Sequence, residues 1–167
     1  MTHALTYRGP SLTALHEEYA KAHRIDERAP LAGRRQIVVD APVDRVWRTL
    51  TDVLAWDTNL EPGVKDIRLE NGVTVDSKFV RSNKGARMTA RFAVVKRDRE
   101  LAWTGQAFGA KVVHRFELTP RTDETTDVLV QESMAGPLLA LVFNTRKLTN
   151  LLEESLHTLK SAAESAA

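Results

Sequence analysis

The sequence predicts an α+β fold in which one antiparallel sheet is covered by a long helix. Alternating apolar and polar residues form successive short segments between residues 64 and 134. The turns between these segments are too short for crossover connections, so neighbouring segments are expected to pair as antiparallel strands. Leucines at helical spacing then predict an amphipathic helix at the C-terminal end. A sheet with one apolar face needs a cover, and this helix is the largest element available.

Residues 1–33 are predicted to form a helical extension, separate from a domain at 34–167. Ser11 is a suitable N-cap for a helix that ends near Arg28, before Pro30. The apolar stripe of this helix is narrow, so the helix needs a body to lie against. The stripe consists of Leu12, Leu15, Tyr19 and Ala22.

The domain is expected to begin with a strand at 34–40, followed by two short helices at 43–51 and 53–60. Pro42 suits the entry to the first of these helices, in which apolar residues recur at helical spacing. With the strand at 34–40, the segments that follow make a sheet of seven strands. The six later strands are predicted at 64–70, 73–81, 86–96, 100–108, 111–119 and 127–134.

Alternation along the strands also predicts which side chains face the covering helix. One row across the sheet is bulky and contains Val94, Trp103, Phe116 and Val130. Another row is mostly small and contains Ser77, Ala90, Ala107, Val112 and Met134. Small residues beneath a helix leave volume, so this row predicts a cavity unless a larger residue such as Phe143 fills it.

His114 and Glu132 are the two polar exceptions on these apolar faces, and the predicted register places them opposite each other. One interpretation is a general acid/base or ligand-orienting pair, in which the carboxylate tunes the imidazole. The other is a buried hydrogen-bonded pair that satisfies only itself. The sequence leaves both open.

Composition excludes several classes of function. The chain has 24 Lys and Arg against 22 Asp and Glu and no cysteine, which excludes thiolate catalysis and cysteine-ligated zinc. Nucleophile-elbow, phosphate-loop and dinucleotide-binding motifs are absent from the sequence. The longest apolar stretch, 137–143, is too short to span a bilayer, so we expect a cytoplasmic protein without stable membrane insertion.

Metal and nucleic-acid binding are not expected either. His16 and His23 share one face of the N-terminal helix and are interpreted as solvated surface histidines, because a metal site needs three or four convergent ligands. Basic residues cluster at 78–100, but no exposed aromatic residue interleaves with them for base stacking. The sequence therefore predicts no metal, no cofactor and no nucleic-acid partner.

Residues 34–164 resemble the SRPBCC superfamily, also called START-like or Bet v 1-like, and its bacterial polyketide cyclase/dehydrase-like branch most of all. The matching stretches are IVVDAPVDRVWRTLTD, AWDTNLEPGVKDIRL, ELAWTGQAFGAKVVHRFELTP and TTDVLVQESMAGPL. The resemblance implies a helix-grip fold, in which a seven-stranded antiparallel sheet wraps around a long C-terminal helix and encloses a hydrophobic cavity. The family often has glycine where this chain reads VDSKF, so the hairpin at 75–79 is expected to differ.

Binding of a small hydrophobic or aromatic ligand, lipid-like or polyketide-like, is the leading functional hypothesis. Trp56 and Asn59 lie where the cavity mouth is expected, and Trp56 is interpreted as either a lid or an anchor for the helices. The remaining expected ligand-binding residues are Phe79, Met88, Phe92, Trp103, Phe116, Leu148 and Leu152.

Two other functions stay open at this point. As an aromatase/cyclase-type enzyme, the protein would use His114 and Glu132 as its catalytic acid/base groups. As a protein-interaction module, it would use its basic surface at 78–100. Whichever function holds, the extension at 1–33 is expected to cover the sheet, to block the cavity mouth or to mediate formation of a homodimer.

Overall fold

The structure, a computed structural model, describes residues 6–166 and contains one seven-stranded antiparallel sheet. The strand order is β1-β7-β6-β5-β4-β3-β2, so β2 to β7 form a meander that β1 extends by pairing with β7. The strands are β1 (Leu31–Val39), β2 (Lys65–Leu69), β3 (Lys78–Asn83), β4 (Ala86–Lys96), β5 (Glu100–Ala107), β6 (Ala110–Pro120) and β7 (Thr126–Ala135).

The helices lie before, within and after this meander. The N-terminal helix, α1, starts as an α-helix (Leu12–Ala14) and continues as a π-helix (Leu15–Ala20). Between β1 and β2 come α2 (Val43–Thr51), a 3₁₀ turn (Val53–Ala55) and α3 (Trp56–Asn59). After β7 come the short α4 (Leu139–Val142) and the long α5 (Thr145–Ser165). None of the helices in the described part of the chain is long and apolar enough to cross a membrane.

Helix α5 covers one face of the sheet and forms the main core with it. Its leucines at 148, 152, 156 and 159 are buried together with Phe92, Phe116 and Val130 from the strands. Asn144 caps the helix, because its side chain accepts a hydrogen bond from the Lys147 N–H at 2.9 Å. This arrangement confirms the predicted α+β, helix-grip fold.

Two strand starts differ from the prediction by more than one residue. Strand β1 begins at Leu31, before the predicted start at 34, and β3 begins at Lys78 rather than at 73. Asp76 has a left-handed backbone with φ of 66°, and the Ser77 hydroxyl accepts a hydrogen bond from the Asn71 N–H at 3.2 Å. These local contacts compete with strand pairing and turn residues 73–77 into a loop. Of the positions predicted to face inward in that segment, Val75 is exposed, whereas Val73 still packs against the main core and Ser77 is buried.

The N-terminal segment covers the outer face of the sheet. Ser11 caps α1 as predicted, but the helix ends at Ala20 rather than near Arg28. The π-helical hydrogen bonds, five residues apart, place Leu15 and Ala20 on one buried face. These two residues pack with Ile25 against Ala93 and Val113 of β4 and β6.

His16 and His23 hold this segment against the sheet. The prediction of a solvated surface residue is wrong for His16, which is only 2% exposed and hydrogen-bonds through both ring nitrogens, to Thr104 Oγ1 at 2.7 Å and Asp76 Oδ1 at 2.8 Å. The narrow stripe read from the sequence missed it because a π-helix turns a different face inward. His23 is exposed as expected, and its Nδ1 contacts Glu100 Oε2 at 2.6 Å.

Candidate functional site

His114 and Glu132 face each other across β6 and β7 on the side of the sheet that α5 covers, as predicted. His114 Nδ1 is hydrogen-bonded to Glu132 Oε2, and the two side chains are 10% and 15% exposed. Glu132 in turn pairs with Gly33 of β1, which lies beside Leu148 and Leu152 of α5. The pair therefore lies under the N-terminal half of α5, close to the edge of the core.

Trp103 lies next to His114 on β5, and their rings stack with centroids 4.4 Å apart and an interplanar angle of 10°. The predicted register, which paired Trp103 with Phe116, is wrong by two residues. The reason is the β5–β6 turn, where Phe108 and Gly109 both have positive φ and form a tight two-residue connection. Trp103 thus takes the place beside His114 that the prediction gave to Gly105.

Two polar atoms in the row formed by Trp103, His114 and Glu132 are buried without a hydrogen-bond partner among the described residues. They are His114 Nε2 and Trp103 Nε1. The carboxylate of Glu132 accepts from Nδ1–H, so Nε2 of neutral His114 carries a lone pair that can accept a proton or a hydrogen bond. Trp103 Nε1 is a donor only. The row therefore offers one acceptor and one donor to the interior.

The row of mostly small residues predicted a cavity, but aromatic side chains fill this space. The observed row contains Phe79 rather than Ser77, because β3 pairs Phe79 with Ala90. The Phe79 ring stacks on Phe92 at 4.5 Å and makes edge contacts with Trp56 and Trp103 at 5.7 and 5.9 Å. An open groove of about 230 Å³ lies elsewhere, lined by residues of α2, Asn59 of α3 and the end of α5.

Most of the other predicted ligand-binding residues lie in the same interior. Met88, Phe92, Phe116, Leu148 and Leu152 are all buried in the main core. Trp56 is buried in this core as well, and together with Asn59 it fastens α3 to α2. Trp56 Nε1 donates to the Leu50 carbonyl at 2.8 Å, and Asn59 Nδ2 donates to the Thr49 carbonyl at 3.3 Å. Of the two interpretations of Trp56, this geometry favours the anchor.

A second polar cluster, which was not predicted from the sequence, lies at this end of the core. Arg81 forms an ion pair with Glu61, and Asn83 Nδ2 donates to Glu61 Oε1 at 2.8 Å. Burial opposes ionisation of Glu61, but the charge of Arg81 and the hydrogen bonds from Arg81 and Asn83 outweigh it and hold the pKa of this carboxyl below its usual value. Alternation could have revealed the cluster, since Arg81 and Asn83 continue the inward face that Phe79 begins.

A further trio, His16, Glu17 and Asp76, has ligand-type atoms within 4.8 Å of one another. It lies on the outer face, and both ring nitrogens of His16 are already hydrogen-bonded. It therefore offers no complete donor set for a metal. The expectation that the protein uses no metal or cofactor stays a prediction.

Comparison with known protein families identifies the family of this chain. The model of the family described as "Polyketide cyclase / dehydrase and lipid transport" matches residues 32–164. The chain belongs to this family. No curated protein matches the chain.

Several solved structures have the same fold as this chain. Protein jhp0584 from Helicobacter pylori is 20% identical with a TM-score of 0.71, and the match covers 83% of this chain and 91% of that one. A START superfamily protein from Mycobacterium smegmatis is 15% identical with a TM-score of 0.62, covering 80% and 94%. The Zhui aromatase/cyclase from Streptomyces sp. R1128 is 16% identical with a TM-score of 0.56, covering 80% and 88%.

Proposed function

We propose that the protein binds a small hydrophobic molecule that carries an oxygen function, with this oxygen at His114 and Trp103. The observation that carries the proposal is the pair of buried polar atoms without a partner, His114 Nε2 and Trp103 Nε1. Each buried polar group left unpaired costs about 1–3 kcal/mol. A hydroxyl group would satisfy both atoms, because it donates to an imidazole nitrogen and accepts from an indole N–H.

The surroundings of these atoms support a ligand that is otherwise apolar. Phe79, Phe92 and Phe116 line the sheet side of the interior, and Leu148 and Leu152 line the helix side. The family description names both lipid transport and polyketide cyclisation, and both kinds of molecule combine apolar carbon with oxygen. The proposed ligand therefore shares the general chemistry of lipids and polyketides.

Ligand entry requires movement, because side chains fill the interior. The segment at 136–144, which joins β7 to α5, is the part best suited to move. Its helix α4 has four residues, and none of them is buried. Within the segment, Leu139 and Phe143 pack against the main core, so opening would break the contacts of these two partly buried side chains. Local opening is easiest where such contacts are few. Opening there would expose the side of α5 that carries Leu148.

The second candidate is an enzyme of the aromatase/cyclase type, and the hydrogen bond between Glu132 and His114 Nδ1 favours it. In this reading His114 Nε2 takes a proton from a carbon next to a ketone and returns it to the oxygen that leaves as water. Glu132 keeps the imidazole in the tautomer that this requires and stabilises its protonated form. The use of the basic surface at 78–100 as a protein contact stays a prediction.

The test compares 1-naphthol with naphthalene, which differ by one hydroxyl group, in calorimetric titrations of the purified protein. We expect the protein to bind 1-naphthol roughly three- to tenfold more tightly, the worth of about one hydrogen bond. His114→Phe should abolish this preference, whereas His157→Phe should keep it, since His157 is exposed on α5. Equal binding of the two compounds, or binding of neither, would contradict the proposal.

The same variants separate binding from catalysis. With a polyketone substrate, an enzyme should lose turnover in His114→Gln while its affinity changes by only a few-fold. Turnover that survives this substitution would eliminate the enzyme reading and leave the binding function.

A further inference from the structure

One end of the molecule exposes large apolar side chains to solvent. Phe108 is 83% exposed, Leu138 67%, Leu141 70% and Val142 67%. Single exposed apolar residues are ordinary, but a group of them at one place usually marks an interaction site.

The sheet topology brings these residues together. Phe108 lies in the turn between β5 and β6, and Leu138 follows the end of β7. Lys111 of β6 pairs with Ala135 of β7, and a methyl group added at Gly136 would lie 2.8 Å from the Ala110 Cα. The turn and the segment that carries α4 are therefore neighbours at the same end of the sheet.

Phe108 is an unusual residue for its position. It has φ of 50° in a two-residue hairpin turn, where asparagine, aspartate or glycine fits best. A bulky residue with positive φ is strained, and such strain points to a function of the side chain. The turn itself gains nothing from phenylalanine, because the ring extends into solvent.

Basic residues lie at the same end of the sheet as these apolar side chains. The stretches 81–90, 105–111 and 133–150 contain six Lys or Arg residues and no Asp or Glu. Four of the six are exposed. Lys84 and Arg87 lie at the β3–β4 turn, and Arg146 and Lys147 lie in the first turn of α5, both at the end of the sheet that carries Phe108.

We propose that this end of the protein docks on the surface of an anionic lipid bilayer. Phe108, Leu138, Leu141 and Val142 would enter the interface between headgroups and acyl chains, and the four exposed cations would contact the headgroups. We call these eight residues the docking end. It includes Leu141 and Val142 of α4. These lie in the segment at 136–144 through which the proposed ligand would enter, so docking would place that entrance against the membrane. The docking itself does not depend on the identity of the ligand.

Vesicle sedimentation tests the proposal. The whole protein is centrifuged with vesicles of phosphatidylcholine alone or mixed with phosphatidylglycerol, and the bound fraction gives a partition coefficient. We expect binding only to the anionic vesicles, and less binding as salt rises. Each basic residue near an anionic surface is worth about fivefold in binding, so Arg146→Gln with Lys147→Gln should weaken partitioning about 30-fold. Phe108→Ser should reduce it as well.

Matched controls come from the opposite end of the sheet. Arg97 and Arg99 are exposed in the β4–β5 turn, and Val75 is an exposed apolar residue in the loop before β3. Arg97→Gln with Arg99→Gln, and Val75→Ser, should bind vesicles as the parent protein does. Circular dichroism checks that every variant is folded.

Three outcomes would overturn the proposal. The first is no binding to anionic vesicles, and the second is an equal loss of binding in the control variants. The third is a homodimer in light scattering without vesicles that Phe108→Ser dissociates, since a second copy of the chain would then occupy the apolar residues.

Discussion

Phe79 occupies the place where the sequence predicts a cavity, so Phe79→Ala tests how the interior is filled. The ring is completely buried and lies between Phe92, Trp56 and Trp103. Removing it deletes three aromatic contacts at once and leaves the small residues of the row, Ala90 among them, without a covering group. The substitution should therefore create the cavity that the structure lacks.

The expected loss of stability follows from this environment. Substituting a buried phenylalanine by alanine costs about 3–5 kcal/mol, including the cavity that remains. Ring pairs add about 0.5–1.5 kcal/mol beyond buried area, and Phe79 takes part in three of them, which favours the upper half of that range. For a chain of this size, about 4 kcal/mol corresponds to a fall in the melting temperature of roughly 8–16 °C.

Two measurements check this expectation, and the chain supplies a matched control. Urea unfolding followed by circular dichroism gives the free energy of unfolding, and titration with naphthalene reports whether the new space accepts an apolar molecule. Phe108→Ala makes the same chemical change at a side chain that is 83% exposed. It should alter the free energy of unfolding by less than about 0.5 kcal/mol.

A loss of less than about 1 kcal/mol in the free energy of unfolding of Phe79→Ala would refute the reasoning, because removing a buried ring with three aromatic contacts costs more than this. A loss equal to that of Phe108→Ala would have the same meaning. Destabilisation without naphthalene binding would show instead that the core collapses into the space, which contradicts the expected cavity.

Three further predictions concern charges and close packing. Glu61→Gln should lower the free energy of unfolding by about 2 kcal/mol at pH 7, because it removes a charged partner of Arg81. The pKa of Glu61 is lowered in the folded protein, so its contribution to stability is fully present above the usual pKa of 4.5 and is lost as the pH falls from there through the lowered pKa. The substitution should therefore cost less when unfolding is measured at pH 3. An equal loss at both pH values would contradict this assignment. Gly136→Ala should destabilise by about 1–3 kcal/mol in urea unfolding, since the new methyl group meets the backbone of Ala110, and a neutral result would show that this contact is loose. Asp76→Asn should speed tryptic cleavage of the N-terminal segment. Hydrogen bonds from His16 and Lys21 lower the pKa of Asp76, so lowering the pH of the parent protein through this pKa should speed cleavage as well. Unchanged cleavage would mean that the carboxylate does not hold the segment.

Hydrophobic periodicity was sufficient to predict the fold. The helix at 43–51 has the predicted bounds, and the six later strands lie in the predicted order. The facing of His114 and Glu132 was also predictable, because a short loop and two long alternating strands leave little freedom in the β6–β7 register.

Predictions that depended on local backbone geometry were wrong. The β5 register moved by two residues because Phe108 adopts a turn conformation that its residue type disfavours. The start of β3 moved because Ser77 makes a side-chain hydrogen bond to the backbone. The buried face of α1 was missed because its residues form a π-helix. In each case a local contact outweighs the pattern, and the small row then receives Phe79 instead of a cavity.

The two buried histidines in the described part of the chain, His16 and His114, show why the pairing of His114 with Glu132 is hard to explain as structure alone. His16 is purely structural by its contacts, since Thr104 and Asp76 hydrogen-bond to its two ring nitrogens. His114 is also buried, but only Nδ1 has a partner among the described residues, and Nε2 has none. A histidine that served packing alone would satisfy both nitrogens or be replaced by an apolar residue, because an unpaired polar atom lowers stability. Glu132 therefore orients a nitrogen that the fold does not use, and this supports a role for His114 toward a bound molecule.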